Sequence, residues 1–143
     1  MVDRPRELPT ARSSPVGFDV AKLRAFIWEQ GLVGASNNTK WDELINFMRA
    51  RRAQEGWVPS YRSKWVSGQV SGWDCEWDCH LPFPFLGVRW FDISTLGTGG
   101  VDESRWLLPA VAEIGFDHEL AGAVIRIWGY LPRCYEDFPP SSA

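Results

Sequence analysis

The chain has 143 residues, the length of one domain, and its 45% hydrophobic and 23% charged residues are ordinary for a folded globular protein. No apolar run reaches the ~18 residues of a membrane-spanning helix, and no hydrophobic export signal follows Met1. Three cysteines do not suit a secreted disulfide framework. The sequence therefore predicts a cytoplasmic protein without membrane contact. The net charge of −3 includes a balance of −7 over residues 73–143, from 4 basic and 11 acidic side chains, which argues against nucleic acid as a partner and for a basic protein if these charges share a surface. The alternative is that the balance of +4 in residues 1–72 neutralises them within one fold.

Two helices are predicted in the first part of the chain. Residues 1–17 are rich in Pro, Ser and Arg and lack an apolar period, which predicts a flexible arm. Asp19 is expected to cap the first helix, which ends at Gly31. Thr39 is expected to cap the second helix, which ends at Gly56. Four apolar residues with helical spacing form its predicted buried stripe: Trp41, Leu44, Ile45 and Met48.

The most regular segment of the chain is predicted to be the central strand of a sheet. Residues 73–79 alternate without a break between apolar and polar side chains, the pattern of a strand with one buried face. The apolar set is Trp73, Cys75, Trp77 and Cys79, and the polar set, continued by one residue, is Asp74, Glu76, Asp78 and His80. Residues 61–66 and 88–94 are predicted to be the strands on either side of it.

A third helix, a last strand and a tail complete the prediction. Residues 102–115 indicate a helix, which either begins near Pro109 or bends there, because proline disrupts the interior of a helix. Residues 123–130 indicate a strand. Residues 132–143 are polar and proline-rich, which predicts a flexible tail, so residues 18–131 form the single folded domain. The predicted fold class is α+β, an antiparallel sheet of about four strands with helices packed on one face, in the order α-α-β-β-β-α-β.

The working face of the predicted sheet follows from its register. Keeping the apolar sides together sets Trp90 opposite Asp78 and Asp92 opposite Glu76, without a cation beside them. Trp90 would then be partly exposed in a ring of acids, which resembles an interface hot spot with a polar rim. The predicted partner-binding residues are Asp74, Glu76, Asp78, His80, Trp90 and Asp92. The alternative is a solvated acidic face without a binding role.

No catalytic, metal or cofactor site is predicted. On one strand the thiols of Cys75 and Cys79 face away from His80, so they do not converge as zinc ligands. Two other functions stay open. One is a small hydrolase or metal-dependent enzyme that uses the clustered carboxylates Glu76, Asp78 and Asp92 with His80 or His118. The other is a domain that binds a small ligand between helices and sheet.

Four tryptophan-anchored segments carry a resemblance to a known family: NTKWDEL at 38–44, WDCEW at 73–77 followed by His80, RWFDI at 89–93, and IWGY at 127–130. Together they resemble a family of small bacterial proteins known as a domain of unknown function, over residues 37–131. The resemblance implies no catalytic residues, and Cys75 and Cys79 depart from its pattern. Small proteins of this kind are often immunity proteins of toxin systems. The expected function is therefore a non-enzymatic protein-binding domain, an immunity-type inhibitor of a basic bacterial toxin.

Overall fold

The computed structural model describes residues 7–140, and a four-stranded antiparallel sheet is its centre. The helices are α1 (Val20–Glu29), α2 (Asn38–Glu55) and α3 (Ser104–Ile114), and the strands are β1 (Val33–Gly34), β2 (Tyr61–Trp65), β3 (Val88–Ser94), β4 (His118–Ala121), β5 (Val124–Trp128) and β6 (Tyr130–Leu131). The main sheet has the strand order β2-β3-β5-β4, and β1 pairs with β6 in a small second sheet. The predicted α+β class with an antiparallel sheet is confirmed.

The helix ends follow local side-chain chemistry. Asp19 caps α1 as predicted, because its carboxylate accepts the Lys22 N–H at 3.0 Å. The cap of α2 is Asn37 instead of Thr39, and its side-chain oxygen accepts the Lys40 N–H at 2.9 Å. Gly56 ends α2 in the left-handed conformation, with φ of 78°.

The helix α3 begins before its proline. It starts at Ser104, so Pro109 lies inside the helix, and the predicted alternative of a start at the proline is wrong. After it, residues 118–121 form strand β4 at the edge of the sheet, an element that the predicted order does not contain.

One face of the sheet forms the main hydrophobic core with α2 and α3. The predicted stripe of α2 is buried there, with Leu107 and Val111 of α3 packed beside it. Phe91 and Ile93 of β3 and Ile125 of β5 meet these helices from the sheet. None of these three sheet side chains retains exposed surface, so this face is closed to any partner.

The other face of the sheet is covered by the end of the chain. Residues 132–140, which we call the C-terminal strap, run across it instead of forming the flexible tail that the sequence predicts. The rings of Tyr135 and Phe138 pack on Trp128, with ring centres 5.3 and 6.2 Å apart. Arg126 donates hydrogen bonds to the carbonyls of Cys134 and Glu136 at 3.0 and 2.6 Å. Residues 141–143 of the predicted tail lie outside the described residues.

The predicted N-terminal arm is also packed in the part that the structure describes. Ala11 is fully buried, and its N–H donates to a carboxylate oxygen of Asp42 at 2.7 Å. Its carbonyl accepts the Phe85 N–H at 2.9 Å. These bonds hold the arm against α2 and the segment before β3. Residues 1–6 of the arm lie outside the described residues.

Residues 73–79 do not form the predicted central strand. Strand β2 pairs directly with β3, with Arg62 opposite Asp92, and a single bridge between Tyr61 and Asp74 joins the segment to the sheet edge. A carboxylate oxygen of Glu76 accepts the backbone N–H groups of residues 78, 79 and 80, which bends the chain there. The alternation is therefore a property of a surface loop.

Candidate functional site

The six predicted site residues divide into two groups. Four of them lie in the loop of residues 73–80, which we call the acidic loop, at the β2 edge of the sheet. They are Asp74, Glu76, Asp78 and His80. The other two, Trp90 and Asp92, lie on β3 beneath the C-terminal strap, where no partner can reach them.

Asp92 is the centre of a buried network of charges. Its two carboxylate oxygens accept hydrogen bonds from Arg126 at 2.7 and 2.9 Å, and Arg62 donates a third at 3.0 Å. Neither Asp92 nor Arg126 is exposed. The prediction that this acid lacks a cation is wrong, because β2 and β5 supply one from each side. A lone arginine in the apolar strand 124–128 was the sequence signal for a buried acidic partner.

Trp90 is part of the same buried network. The guanidinium carbon of Arg126 lies 3.7 Å from the centre of its ring, and that of Arg62 lies at 5.2 Å. The ring is fully buried, so the predicted half-exposed hot spot at Trp90 is wrong. The physical reason is that the strap covers this sheet face and two arginines neutralise its acid.

Asp78 holds the acidic loop to helix α2. Its carboxylate lies 2.9 Å from an amino nitrogen of Arg52 and 3.3 Å from Nε of Arg49. Arg49 also donates to the carbonyls of Trp77 and Pro9, both at 2.9 Å. Burial lowers the pKa of Arg49, and the nearby Asp78 opposes that effect. These arginines therefore anchor the acidic loop to helix α2.

Asp74, Glu76 and His80 form an exposed polar corner. Asp74 accepts the Glu76 N–H at 2.9 Å, and its second oxygen lies 2.9 Å from Nδ1 of His80. Nε2 of His80 lies 3.9 Å from a carboxylate oxygen of Glu76. The backbone bond from Glu76, with His80 beside it, holds the pKa of Asp74 below its usual value. The corner therefore presents ionised carboxylate to solvent.

Trp73 is the residue that the sequence prediction missed. We assigned it to a buried face, yet 41% of its surface is exposed, and Trp77 is the loop side chain that fills the core. Trp73 lines two cavities. One, of about 460 Å³, is apolar and is lined by Trp73, Leu96, Val124, Pro139 and Pro140, among others. The other, of about 350 Å³, includes Ser63, Ser71, Asp74 and His80. The place of Trp73 directly after the Gly/Ser-rich residues 67–72 was the available signal.

The structure separates the carboxylates that suggested an enzyme, because Glu76 and Asp78 lie in the acidic loop and Asp92 is buried on β3. Within residues 7–140, no three His, Cys, Asp or Glu side chains are grouped as metal ligands. His118 lies on β4, at the opposite edge of the sheet from β2 and the acidic loop. Asp92 is sealed from substrate.

Asp74→Asn is expected to remove a pH-dependent part of the stability. Because the folded pKa of Asp74 is lowered, its stabilisation is complete above the pKa of an unfolded aspartate, about 4, and is lost as the pH falls through the folded value. Urea unfolding should find the wild type more stable than the variant at about pH 7, with the difference closing towards about pH 2. An equal difference at both pH values contradicts this role of Asp74.

Comparison with known proteins gives one match. Residues 23–134 match the model of a family of unknown function (DUF6678), a wider span than the predicted resemblance over residues 37–131. Searches of curated proteins and of solved structures found no match. Across residues 7–140, no helix has both the length and the apolar character needed to span a membrane.

Proposed function

The chain belongs to the DUF6678 family of unknown function, and we propose that it is a non-enzymatic protein-binding domain. The binding surface is the acidic loop with the exposed ring of Trp73. One observation carries the proposal: a tryptophan that is 41% exposed lies beside Asp74 and lines two cavities. A large aromatic ring inside a polar rim is the composition of an interface hot spot. The proposed surface is a loop, in place of the sheet face predicted from the sequence.

The proposed partner is a basic protein. The acidic loop places the carboxylates of Asp74, Glu76 and Asp78 at the β2 edge of the sheet, and the whole chain has a net charge of −3. Asp78 is shared with two arginines, whereas Asp74 and Glu76 lie beside His80. A field of this sign attracts a basic surface and speeds its association at low salt.

The specific form that we propose is an immunity-type inhibitor of a bacterial toxin. Such an inhibitor needs no catalytic group, because it acts by covering its toxin. An acidic surface with an aromatic anchor suits that task when the toxin domain is basic.

Co-expression with the product of the adjacent gene tests the proposal. We expect the two proteins to co-purify, and we expect the chain to protect cells against that product if it is toxic. Asp74→Asn with Glu76→Gln should slow association and weaken its salt dependence. Glu29→Gln is the matched control, because Glu29 is an exposed acid at the end of α1. No binding and no protection with either adjacent product contradicts the proposal.

A further inference from the structure

The cavity of about 350 Å³ that Asp74 lines, which we call the Asp74 cavity, contains a serine hydroxyl without a partner. Ser63 lines it and is only 6% exposed. Its side chain lies on the same side of β2 as that of Tyr61, another lining residue, because side chains alternate along a strand. The backbone N–H of Ser63 donates to Oγ of Ser71 at 2.9 Å, but its hydroxyl has no hydrogen bond to any group of residues 7–140. This hydroxyl is therefore available to a group inside the cavity.

Asp74 brings a negative charge to the same wall. One of its carboxylate oxygens accepts the Glu76 N–H at 2.9 Å, and the other lies 2.9 Å from Nδ1 of His80. A carboxylate oxygen accepts more than one hydrogen bond, so each oxygen retains room for a further donor. The hydroxyl oxygen of Ser63 is a further acceptor on this wall. The cavity therefore suits a positively charged group that carries several N–H donors.

The ring of Trp73 supplies a surface on which a cation can stack. Trp73 lines the Asp74 cavity and is 41% exposed, and the face of a tryptophan ring attracts cations. The guanidinium carbon of Arg62 lies 5.3 Å from the centre of this ring, but Arg62 is held from β2 by bonds to Asp92 and Asp137, which offset its charge. A planar guanidinium both stacks on an aromatic ring and donates through several N–H groups, whereas an ammonium is a compact point charge.

We infer that the Asp74 cavity receives the guanidinium group of an arginine side chain from the partner protein. The guanidinium stacks on Trp73, and its N–H groups donate to the carboxylate of Asp74 and the hydroxyl of Ser63. The inference rests on the proposed protein-binding function and adds the side chain by which a basic partner is recognised. A free guanidino compound is the other source of the same group, and the test separates the two sources.

Titration of the isotope-labelled full chain with Nα-acetylarginine amide, followed by NMR, tests the inference. This probe presents the arginine side chain without the charged ends of the free amino acid. The indole N–H of Trp73 and the backbone N–H of Ser63 should shift in a saturable way, with a Kd of about 1 mM or tighter. Nα-acetylcitrulline amide has nearly the same shape but no charge, and it should bind at least about tenfold more weakly.

Ser63→Ala should weaken binding of the arginine probe by about threefold to tenfold and leave the fold intact, because the hydroxyl has no partner in the described chain. Ser36→Ala is the matched control. Oγ of Ser36 also lacks a hydrogen bond within residues 7–140, but Ser36 lines a different cavity, so this variant should bind like the wild type. Circular dichroism and thermal unfolding check the fold of each variant. Unchanged affinity on Ser63→Ala, or an equal loss on both serine variants, overturns the inference.

Further outcomes separate this inference from its alternatives. Equal affinity for the arginine and citrulline probes, or no shift at Trp73 and Ser63, overturns it. Free L-arginine that binds at least about tenfold more tightly than the probe also overturns it, because the cavity is then a small-molecule site. If the adjacent-gene product loses affinity on Trp73→Ala but the arginine probe does not bind, the proposed function stands and this inference alone fails. If the probe binds and no adjacent product does, the chemistry of the cavity stands and the proposed partner fails.

Discussion

Asp92→Ala is expected to lower the free energy of unfolding by about 3–5 kcal/mol, because it leaves a buried charge without its partner. Arg126 has no exposed surface and donates hydrogen bonds to both carboxylate oxygens of Asp92, at 2.7 and 2.9 Å. The variant keeps that guanidinium in the interior beside the one of Arg62, with backbone carbonyls as its hydrogen-bond acceptors. Urea unfolding at neutral pH, followed by circular dichroism, measures the loss.

Asp117→Ala is the matched control for this prediction. Asp117 pairs with Arg133 in the same bidentate way, at 2.5 and 3.1 Å, but on the surface. Exposed pairs contribute at most about 1 kcal/mol. The double variant Asp92→Leu with Arg126→Met removes both charges and should recover much of the loss. Equal losses for Asp92→Ala and Asp117→Ala would contradict the buried network.

Trp77→Ala is the second large effect, an expected loss of about 3–5 kcal/mol as a core truncation. Trp77 is fully buried, and its ring contacts those of Tyr61 and Phe91 at centre distances of 4.9 and 5.7 Å. Its Nε1 donates to the carbonyl of Pro59 at 2.8 Å, so alanine also leaves that acceptor unpaired. Thermal and urea unfolding measure the change.

Trp28→Ala is the control for that truncation, because 85% of Trp28 is exposed at the end of α1. Its unfolding free energy should stay within about 0.5 kcal/mol of the wild type. Trp90→Ala is expected to be destabilising like Trp77→Ala. The partly exposed position that the sequence predicts for Trp90 would imply little change in stability, but the ring is buried between two arginines. A Trp77→Ala variant as stable as Trp28→Ala would contradict the packing described here.

The parts of the fold that the sequence predicts correctly depend on short-range chemistry. Caps and left-handed glycines are local, so Asp19 and Gly56 mark their helix ends. Strand β3 was predicted over the residues that form it, 88–94, because its β-branched and aromatic side chains lie in a buried sheet. Strand β4 was missed because HELA at 118–121 has no strand composition, and its pairing with β5 decides its conformation.

The prediction of a strand at the acidic loop is wrong because alternation of apolar and polar residues is necessary for a half-buried strand but not sufficient for one. Only Trp77 of the four apolar residues enters the core, while Trp73, Cys75 and Cys79 are exposed. The carboxylate of Glu76 binds three backbone N–H groups that a strand would give to a neighbour. The alternation of apolar and polar residues does not reveal that a side chain competes with a neighbouring strand for these N–H groups.

The candidate site was half predicted for a related reason. Asp74, Glu76, Asp78 and His80 were correctly expected at the surface, since charged groups are rarely buried unpaired. The error at Asp92 came from distant residues: Arg62 and Arg126 are 30 and 34 positions away in the chain. The strap that seals them was predicted to be flexible from its composition. Trp73 is exposed because its segment forms a loop and not the predicted strand.

The affinity of the co-purified adjacent-gene product for three forms of the chain tests the binding surface most directly. Isothermal titration should find that Trp73→Ala weakens binding at least about 30-fold, as expected for a hot spot worth 2 kcal/mol or more. Trp28→Ala, which removes a more exposed tryptophan far along the chain from the acidic loop, should bind like the wild type. Unchanged affinity on Trp73→Ala, or an equal loss on both substitutions, would contradict the account.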